Sequence, residues 1–509
     1  MIACQISAPI RNDLHPLATD RQTFTIMFNA LLTVKDDKLS LTHLLAKHMK
    51  LSANFWSRSL GALLACFLTA TLANAAEKQS DRRPNFVIFL TDDQGWGDLG
   101  CYGHPRIKSP NLDRFADEGM RFTQCYAACA VCSPSRSAIL TGRTPYRNGV
   151  WRWIPEGSEY HLRQSETSVA SLLREQGYAT CHVGKWHLNG KFNSRDQPQP
   201  DDHGYDWWLA TQNNARPNHI NPTNYVRNRQ ATGKLEGPSA VVAVEEAIHW
   251  LKQEKKEDKP FFLTVWTHEP HQPIESAERF MKPYKDLEDA GLRQHHGNIT
   301  QLDHAFGLLI NAIDELGESD NTLVIFTSDN GPEGSGTRPG SRTRGSTGGL
   351  RGRKRHTHEG GIRVPGILRW PGHIKPGSVC NTPIIGSDFF PTICQIVGIP
   401  LPENRVIDGT SIVPLFSGEA IDRQQPLYWR NHLAPEQYKV GLRQGDWKII
   451  GSDDLKTFEL YNLKEDPQET TNLAAKFPER FATMRAQLIT HDQSVLADGP
   501  DWWKTDEPH

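Results

Sequence analysis

Four short apolar runs, each closing on a cluster of polar residues, set the strongest limit on what this 509-residue chain can fold into. They cover residues 85–90 (NFVIFL), 178–183, 261–267 and 322–327 (TLVIFT). Each run is continuous rather than alternating, which predicts strands buried on both faces. Helical runs at residues 168–175 and 303–316 precede the second and fourth. Strands of this kind separated by helices predict a largely parallel α/β sheet covered on both sides. The length allows one large core with a smaller subdomain beside it.

The runs lead into Thr91-Asp92-Asp93, Gly184-Lys185-Trp186-His187, His268-Glu269-Pro270-His271 and Ser328-Asp329-Asn330-Gly331. In open α/β sheets, ligands bind beyond the carboxyl ends of the strands. A single Asp-Asp would carry little weight, because acids commonly begin loops and cap helices. Four coincident placements point to a site. Asp92, Asp93, Asp329 and Asn330 offer only hard oxygen ligands, which suit Ca²⁺ or Mg²⁺ and not Zn²⁺.

The segment from Cys132 to Arg143 (CSPSRSAILTGR) places a cysteine two residues before Pro134 and four before Arg136, at the head of an expected helix. Taken alone it leaves two readings open: half of a disulfide, or a thiolate activated at a helix N-terminus.

Together these segments resemble type I sulfatases in family order, over roughly residues 83 to 470. The C-x-P-x-R pattern followed by L-T-G-R resembles the site at which the family converts a cysteine, here Cys132, to formylglycine. The stretch from Asp92 to Asp98 and the stretch from Ser328 to Gly331 resemble the two halves of the family's cation site. Gly184 to Leu188 resembles its G-K-W-H-L motif, Pro270 to Pro273 its P-H-x-P element, and Leu350 to Pro365 its L-R-G-x-K…E-G-G-x-R-V-P segment. The resemblance implies an alkaline-phosphatase-like fold with a smaller C-terminal α+β subdomain, and hydrolysis of sulfate monoesters. It further implies a divalent cation, Ca²⁺ with Mg²⁺ as the alternative, held by Asp92, Asp93, Asp329 and Asn330. Arg136 would hold the aldehyde hydrate, and Lys185 would contact both hydrate and sulfate. Lys354 would bind sulfate, with Arg353 as its competitor for that task. Asp329 would help activate the attacking hydroxyl, His187 would take the proton of the second hydroxyl, and His271 rather than His268 would protonate the leaving oxygen. The sequence departs from the family by carrying Arg353 and Arg355 where glycines are frequent, which suggests a polyanionic substrate.

Formal net charge is −2, from 57 basic and 59 acidic residues, so no electrostatic footprint for nucleic acid is expected. Residues 60–72 form an apolar run of signal-peptide length, followed by Ala73-Asn74-Ala75. The expected organisation is an over-extended start (1–48), a signal peptide (49–75), a catalytic domain (81–418) and a C-terminal subdomain (419–509). Export places the protein in a secreted or periplasmic setting, with no stable membrane span after cleavage. Seven cysteines follow the leader, a parity that lets six pair and sets Cys132 aside for chemistry.

The expected substrate is a sulfated small molecule or carbohydrate, and the expected partner a formylglycine-generating or sulfatase-maturating enzyme. Residues 191–234, with Trp207, Trp208, Asn213, Asn214, Arg216 and His219, are a candidate sugar-binding insert. Arg430 and His432 are further candidate contacts. Competing functions are a phosphate or phosphonate ester hydrolase of the same fold, and a non-catalytic sulfated-glycan-binding protein with an unmodified Cys132.

Overall fold

The four apolar runs become four adjacent strands of one sheet. In the computed structural model, residues 82–256, 259–334 and 341–500 are described. The expectations for residues 1–75 therefore lie outside the described residues. The large sheet is built from β1 (Asn85–Thr91), β2 (Met120–Tyr126), β3 (Ala179–Lys185), β4 (Trp207–Thr211), β5 (Tyr225–Arg227), β6 (Gln230–Gly233), β7 (Phe261–Trp266), β8 (Thr322–Ser328), β9 (Arg363–Arg369), β10 (Ser378–Cys380) and β11 (Ile384–Ile385). Its order is β10-β2-β9-β8-β1-β7-β3-β4-β5-β6, with β11 also against β2.

The central strands β8, β1, β7, β3 and β4 are all parallel. Antiparallel pairings at β9 and at β5 and β6 make the sheet mixed. The register sets Thr91 level with Ser328, and Leu90 and Gly184 level with Trp266. Three neighbouring strands and β3 thus end side by side, and their polar termini converge.

Both faces of the sheet are buried, as continuous apolar runs require. Along β1, Phe86, Ile88 and Leu90 enter one core while Val87 and Phe89 enter the other. Helices α1 (Cys132–Thr141) and α2 (Val169–Glu175) cover the first face through Ile139, Leu140, Val169 and Leu173. Helices α3 (Ser239–His249) and α4 (Ala290–Glu315) cover the second through Val244, Ile299, Leu302 and Phe306. Each such side chain contributes about 1.5–3 kcal/mol by leaving water.

Ser168 caps α2, its side chain accepting the Ser171 N–H. Helix α4 begins at Ala290, well before the expected residue 303. Its first turns hide from apolar periodicity because they bury polar groups: Asn298 donates to His219, and Gln301 to Glu269.

The C-terminal part is an antiparallel sheet of β12 (Leu427–Arg430), β13 (Tyr438–Gln444), β14 (Trp447–Ser452) and β15 (Phe458–Asn462), packed by helix α5 (Pro478–Asp498). None of the seven cysteines among the described residues is disulfide-bonded, so the parity argument fails. They are dispersed over separate elements; Cys125 sits against Thr327 Oγ1 and Cys129 against the Arg430 carbonyl. Among the described residues, no helix is long and apolar enough to cross a membrane.

Candidate active site

Beyond the strand ends, the chain gathers oxygen ligands, cations and histidines around Cys132. Asp92 and Asp93 follow β1, and Asp329 and Asn330 follow its neighbour β8, all of them buried. The Asp93 N–H donates to Asp329 Oδ1 at 3.1 Å, and Asn330 Nδ2 donates to Asp93 Oδ1 at 2.7 Å. Carboxylate oxygens of Asp92 and Asp329 and the Cys132 Sγ lie within 4.8 Å of one another. Asp92 Oδ1 and Asn330 Oδ1 are buried without a hydrogen-bond partner. Unpaired buried oxygens are costly, and two of them beside the carboxylates of Asp93 and Asp329 fit a hard divalent cation.

The electrostatics agree. Burial raises Asp92, but Lys185, His271, Arg136 and Lys354 together hold it well below the carboxylate range. Burial and the charge of Asp92 push Asp329 up to about 7, against Arg136 and Lys185. Two carboxylates this close cannot both ionise easily without more positive charge between them.

Cys132 opens helix α1, where the backbone dipole favours negative charge. Yet burial raises the thiol, with Lys185 and Lys354 opposing. An activated thiolate is therefore not what the site prepares. Four residues along, Arg136 is fully buried with its Nε and Nη2 on Asp329 Oδ2, at 3.0 and 2.6 Å, and its Nη1 on the Lys185 carbonyl. Its guanidinium also lies 5.3 Å from the Trp266 ring. Arg136 thus ties the head of α1 to β3 and β8.

Lys185 ends β3 and donates to Asp92 Oδ2 at 2.7 Å. Gly184, at φ +104°, makes that ending possible, since a Cβ there would stand 1.9 Å from the Trp266 carbonyl oxygen. Lys354 donates to both Asp93 oxygens, at 2.6 and 2.8 Å. Arg353 does not displace it: its Nη1 is spent on the carbonyls of Glu333 and Gly345.

His187 is buried, with Nε2 against the Ile154 carbonyl and Nδ1 unpartnered. Burial, then Lys185 and Arg136, push it well below the ordinary imidazole value, so it rests neutral. His271 Nε2 lies 3.6 Å from Asp93 Oδ2, and its side chain is 18% exposed. Burial and Lys354 push His271 down to about 4. An anionic ester brought against it favours the charged form. His268 is instead 1% exposed and held by Thr211 Oγ1 and the Tyr225 hydroxyl. Of the two histidines, His271 is the more accessible. Asp93, His187 and Arg355 all hold left-handed backbone (φ 63°, 57° and 77°), and such strained non-glycine residues cluster at ligand sites.

Other candidates go elsewhere. Trp208 is core on β4, and the Trp207 indole donates to Glu246. His219 is buried against Asn298, and Arg216 pairs with Glu156. Arg430 is locked by Asp492 and Asp453, and His432 meets the Tyr146 hydroxyl and Trp151. Trp208, His219 and Arg430 are taken up by the interior, whereas Arg216 lies exposed. Asn213 and Asn214 do line the cavity over Cys132.

A family model described as Sulfatase matches residues 84–399, and one described as N-sulphoglucosamine sulphohydrolase, C-terminal, matches residues 352–494. Human arylsulfatase A is 34% identical over 487 residues, covering 84% of this chain and 94% of its own. The chain belongs to the sulfatase family. Rat N-acetylgalactosamine-6-sulfatase is 35% identical over 389 residues, covering 70% of this chain and 71% of its own. The crystal structure of the PsFucS1 sulfatase from Pseudoalteromonas superposes with a TM-score of 0.69 at 26% identity, covering 85% of this chain and 94% of that one.

This sulfatase is therefore a sulfuric ester hydrolase with the alkaline-phosphatase-like α/β fold. The phosphate-ester and non-catalytic alternatives are not favoured. Sequence reasoning missed Trp153 and Glu333, which line the cavity mouth. Trp151-Arg152-Trp153, two tryptophans in three residues of a loop, was a signal within reach.

Proposed function

We propose that this sulfatase hydrolyses sulfate esters of sugars, using a formylglycine made from Cys132 beside one divalent cation. The observation that carries this reading is the pair of unpartnered buried oxygens, Asp92 Oδ1 and Asn330 Oδ1, in the cluster that faces Cys132. Asp92, Asp93, Asp329 and Asn330 would hold the cation, Ca²⁺ or else Mg²⁺, and it would stabilise charge developing on the sulfate oxygens. Formylglycine at position 132 supplies, as its hydrate, a hydroxyl nucleophile and a second hydroxyl through which release avoids a stable ester.

The chain's own residues do the rest. Lys185 and Lys354 are two buried cations beside Asp92 and Asp93, suited to the singly charged sulfate group of a monoester. Arg136 positions Asp329 and the head of α1, in addition to its family role toward residue 132. His187 receives a proton at Nδ1, the nitrogen left without a partner. His271, at the accessible side, gives a proton from Nε2 to the departing oxygen. The names of relatives that act on N-acetylgalactosamine 6-sulfate support a sugar substrate.

Residues 49–75 act as the export signal, 81–418 as the catalytic domain and 419–509 as the C-terminal subdomain. A formylglycine-generating or sulfatase-maturating enzyme carries out the conversion of Cys132. N-terminal sequencing of exported protein tests the first of these assignments.

Treatment with a chelator, verified by metal analysis, is expected to lower turnover more than about tenfold, with recovery on adding Ca²⁺. Full activity in metal-free protein would remove the cation from the reading. His271→Ala is expected to lower kcat by about 10²–10⁴. Across aryl sulfates of graded leaving-group pKa, the loss should grow as the leaving group worsens. A uniform loss across that series would rule out His271 as the proton donor.

A further inference from the structure

One wall of the cavity over Cys132 is not used by the reaction. A space of about 290 Å³ has Cys132, His187 and Lys354 at its base and Trp153, Asn214 and Arg355 around it. An adjoining space of about 240 Å³ shares Asn214 and Arg355 and adds Glu333.

Trp153 is 43% exposed, the only exposed tryptophan among the described residues. It is held nonetheless. Trp151, two residues earlier, is buried against Tyr160 and His432, and the Arg152 guanidinium lies 5.5 and 5.6 Å from the rings of Trp151 and Trp153. A rigid aromatic face at the mouth of a polar cavity suits the C–H face of a pyranose.

Arg355 carries a side chain at a backbone position that glycine would hold without strain. Its Nη1 and Nη2 pair with Glu333 Oε1 and Oε2, each at 2.7 Å. Burial opposes ionisation of Glu333, but the hydrogen bonds of Arg355 and the charge of Lys354 hold it down at about 2. The pair is therefore ionised and neutral in sum. Arg353 turns to main-chain carbonyls, and Lys354 is matched by Asp93. The free positive charge that the sequence pattern suggests is not what this wall presents. It presents donors on Arg355 beyond those bound to Glu333, and an acceptor on Glu333 Oε2, the arrangement that sugar hydroxyls need.

We infer that Trp153, Arg355 and Glu333 select an uncharged pyranose bearing a single sulfate, and reject a second anionic group at that wall. The ring stacks on Trp153 and its hydroxyls meet Arg355 and Glu333, while the sulfate lies at Lys354. A second sulfate or a carboxylate there finds the Arg355 charge already matched by Glu333, and no unmatched cation offsets its loss of water. This rests on the sugar-sulfate reading above.

The test compares kcat/KM of the matured, cation-loaded enzyme on singly sulfated N-acetylhexosamines, on their disulfated counterparts, and on an aryl sulfate. The best singly sulfated sugar is expected to exceed its disulfated counterpart by more than about tenfold. Glu333→Gln, which leaves Arg355 without its counter-charge, should narrow that ratio severalfold. Trp153→Ala should raise KM for the sugar far more than it lowers kcat. Preference of the unaltered enzyme for the disulfated sugar overturns the inference and leaves the sugar reading standing. So does an unchanged ratio in folded Glu333→Gln. Turnover of the aryl sulfate with no sugar accepted overturns both.

Discussion

Replacing Cys132 by Ala is expected to remove turnover by at least about four orders of magnitude while leaving the fold in place. The physical case rests on what an alanine lacks. It cannot become an aldehyde, so no hydroxyl stands at the head of α1 between Lys185, Lys354 and the oxygen cluster. The structural cost is small, because the thiol is packed but makes no disulfide, and a loss of about 1 kcal/mol is expected. Peptide mass analysis of the unaltered enzyme completes the experiment. Conversion replaces sulfur and two hydrogens by one oxygen, and the peptide holding residue 132 should be lighter by that difference. Active protein with an intact thiol would overturn the proposal outright, since burial keeps that thiol protonated.

The largest expected loss of stability lies away from the chemistry, at Lys448. Its ammonium sits between Glu359 Oε1 at 3.0 Å and Glu469 Oε1 at 2.8 Å, and all three side chains are fully buried. Glu359 also meets the Tyr126 hydroxyl and Arg363, and the Glu469 carboxylate accepts the Glu359 N–H. The cluster binds β14 of the C-terminal sheet to the segment that carries Lys354. Lys448→Met keeps the volume but leaves the buried Glu469 carboxylate without its cation and Glu359 with one cation fewer, which is expected to cost about 3–5 kcal/mol. Equilibrium unfolding of the two proteins measures it. A change below about 1 kcal/mol would mean that water reaches the site and screens it. Glu469→Gln in the Lys448→Met background should recover part of the loss, because one stranded charge is then gone.

Much of the fold was legible because burial on both faces of a strand leaves a continuous apolar trace. Runs 85–90 and 322–327 fall within β1 and β8 for that reason. Run 178–183 fell short at its end, since β3 continues through Gly184 to Lys185, where the residue types cease to be apolar. The early turns of α4 were not legible at all: His295, His296, Asn298 and Gln301 are buried polar residues, and no periodic pattern marks them. That Asp92, Asp93, Asp329, Asn330, Lys185, His187 and Cys132 would be buried together was legible, because they sit at strand ends or in compact motifs. Glu333 was not, because it belongs to a loop whose direction local sequence does not set, and for Trp153 the paired tryptophans marked the loop but not the cavity it lines.

What the sequence by itself determined is therefore the family, the sheet and the chemical groups at its edge, since residue type and strand burial are local properties. The tertiary structure alone decided which of them share a cavity. It left His271 more exposed than His268, set Arg353 on main-chain carbonyls, and left all seven described cysteines unpaired. It also set Glu333 against Arg355 across 22 positions of chain, cancelling a charge that the motif's arginines suggested was free. Charge compensation depends on distance in space, and that distance exists only once the chain has folded.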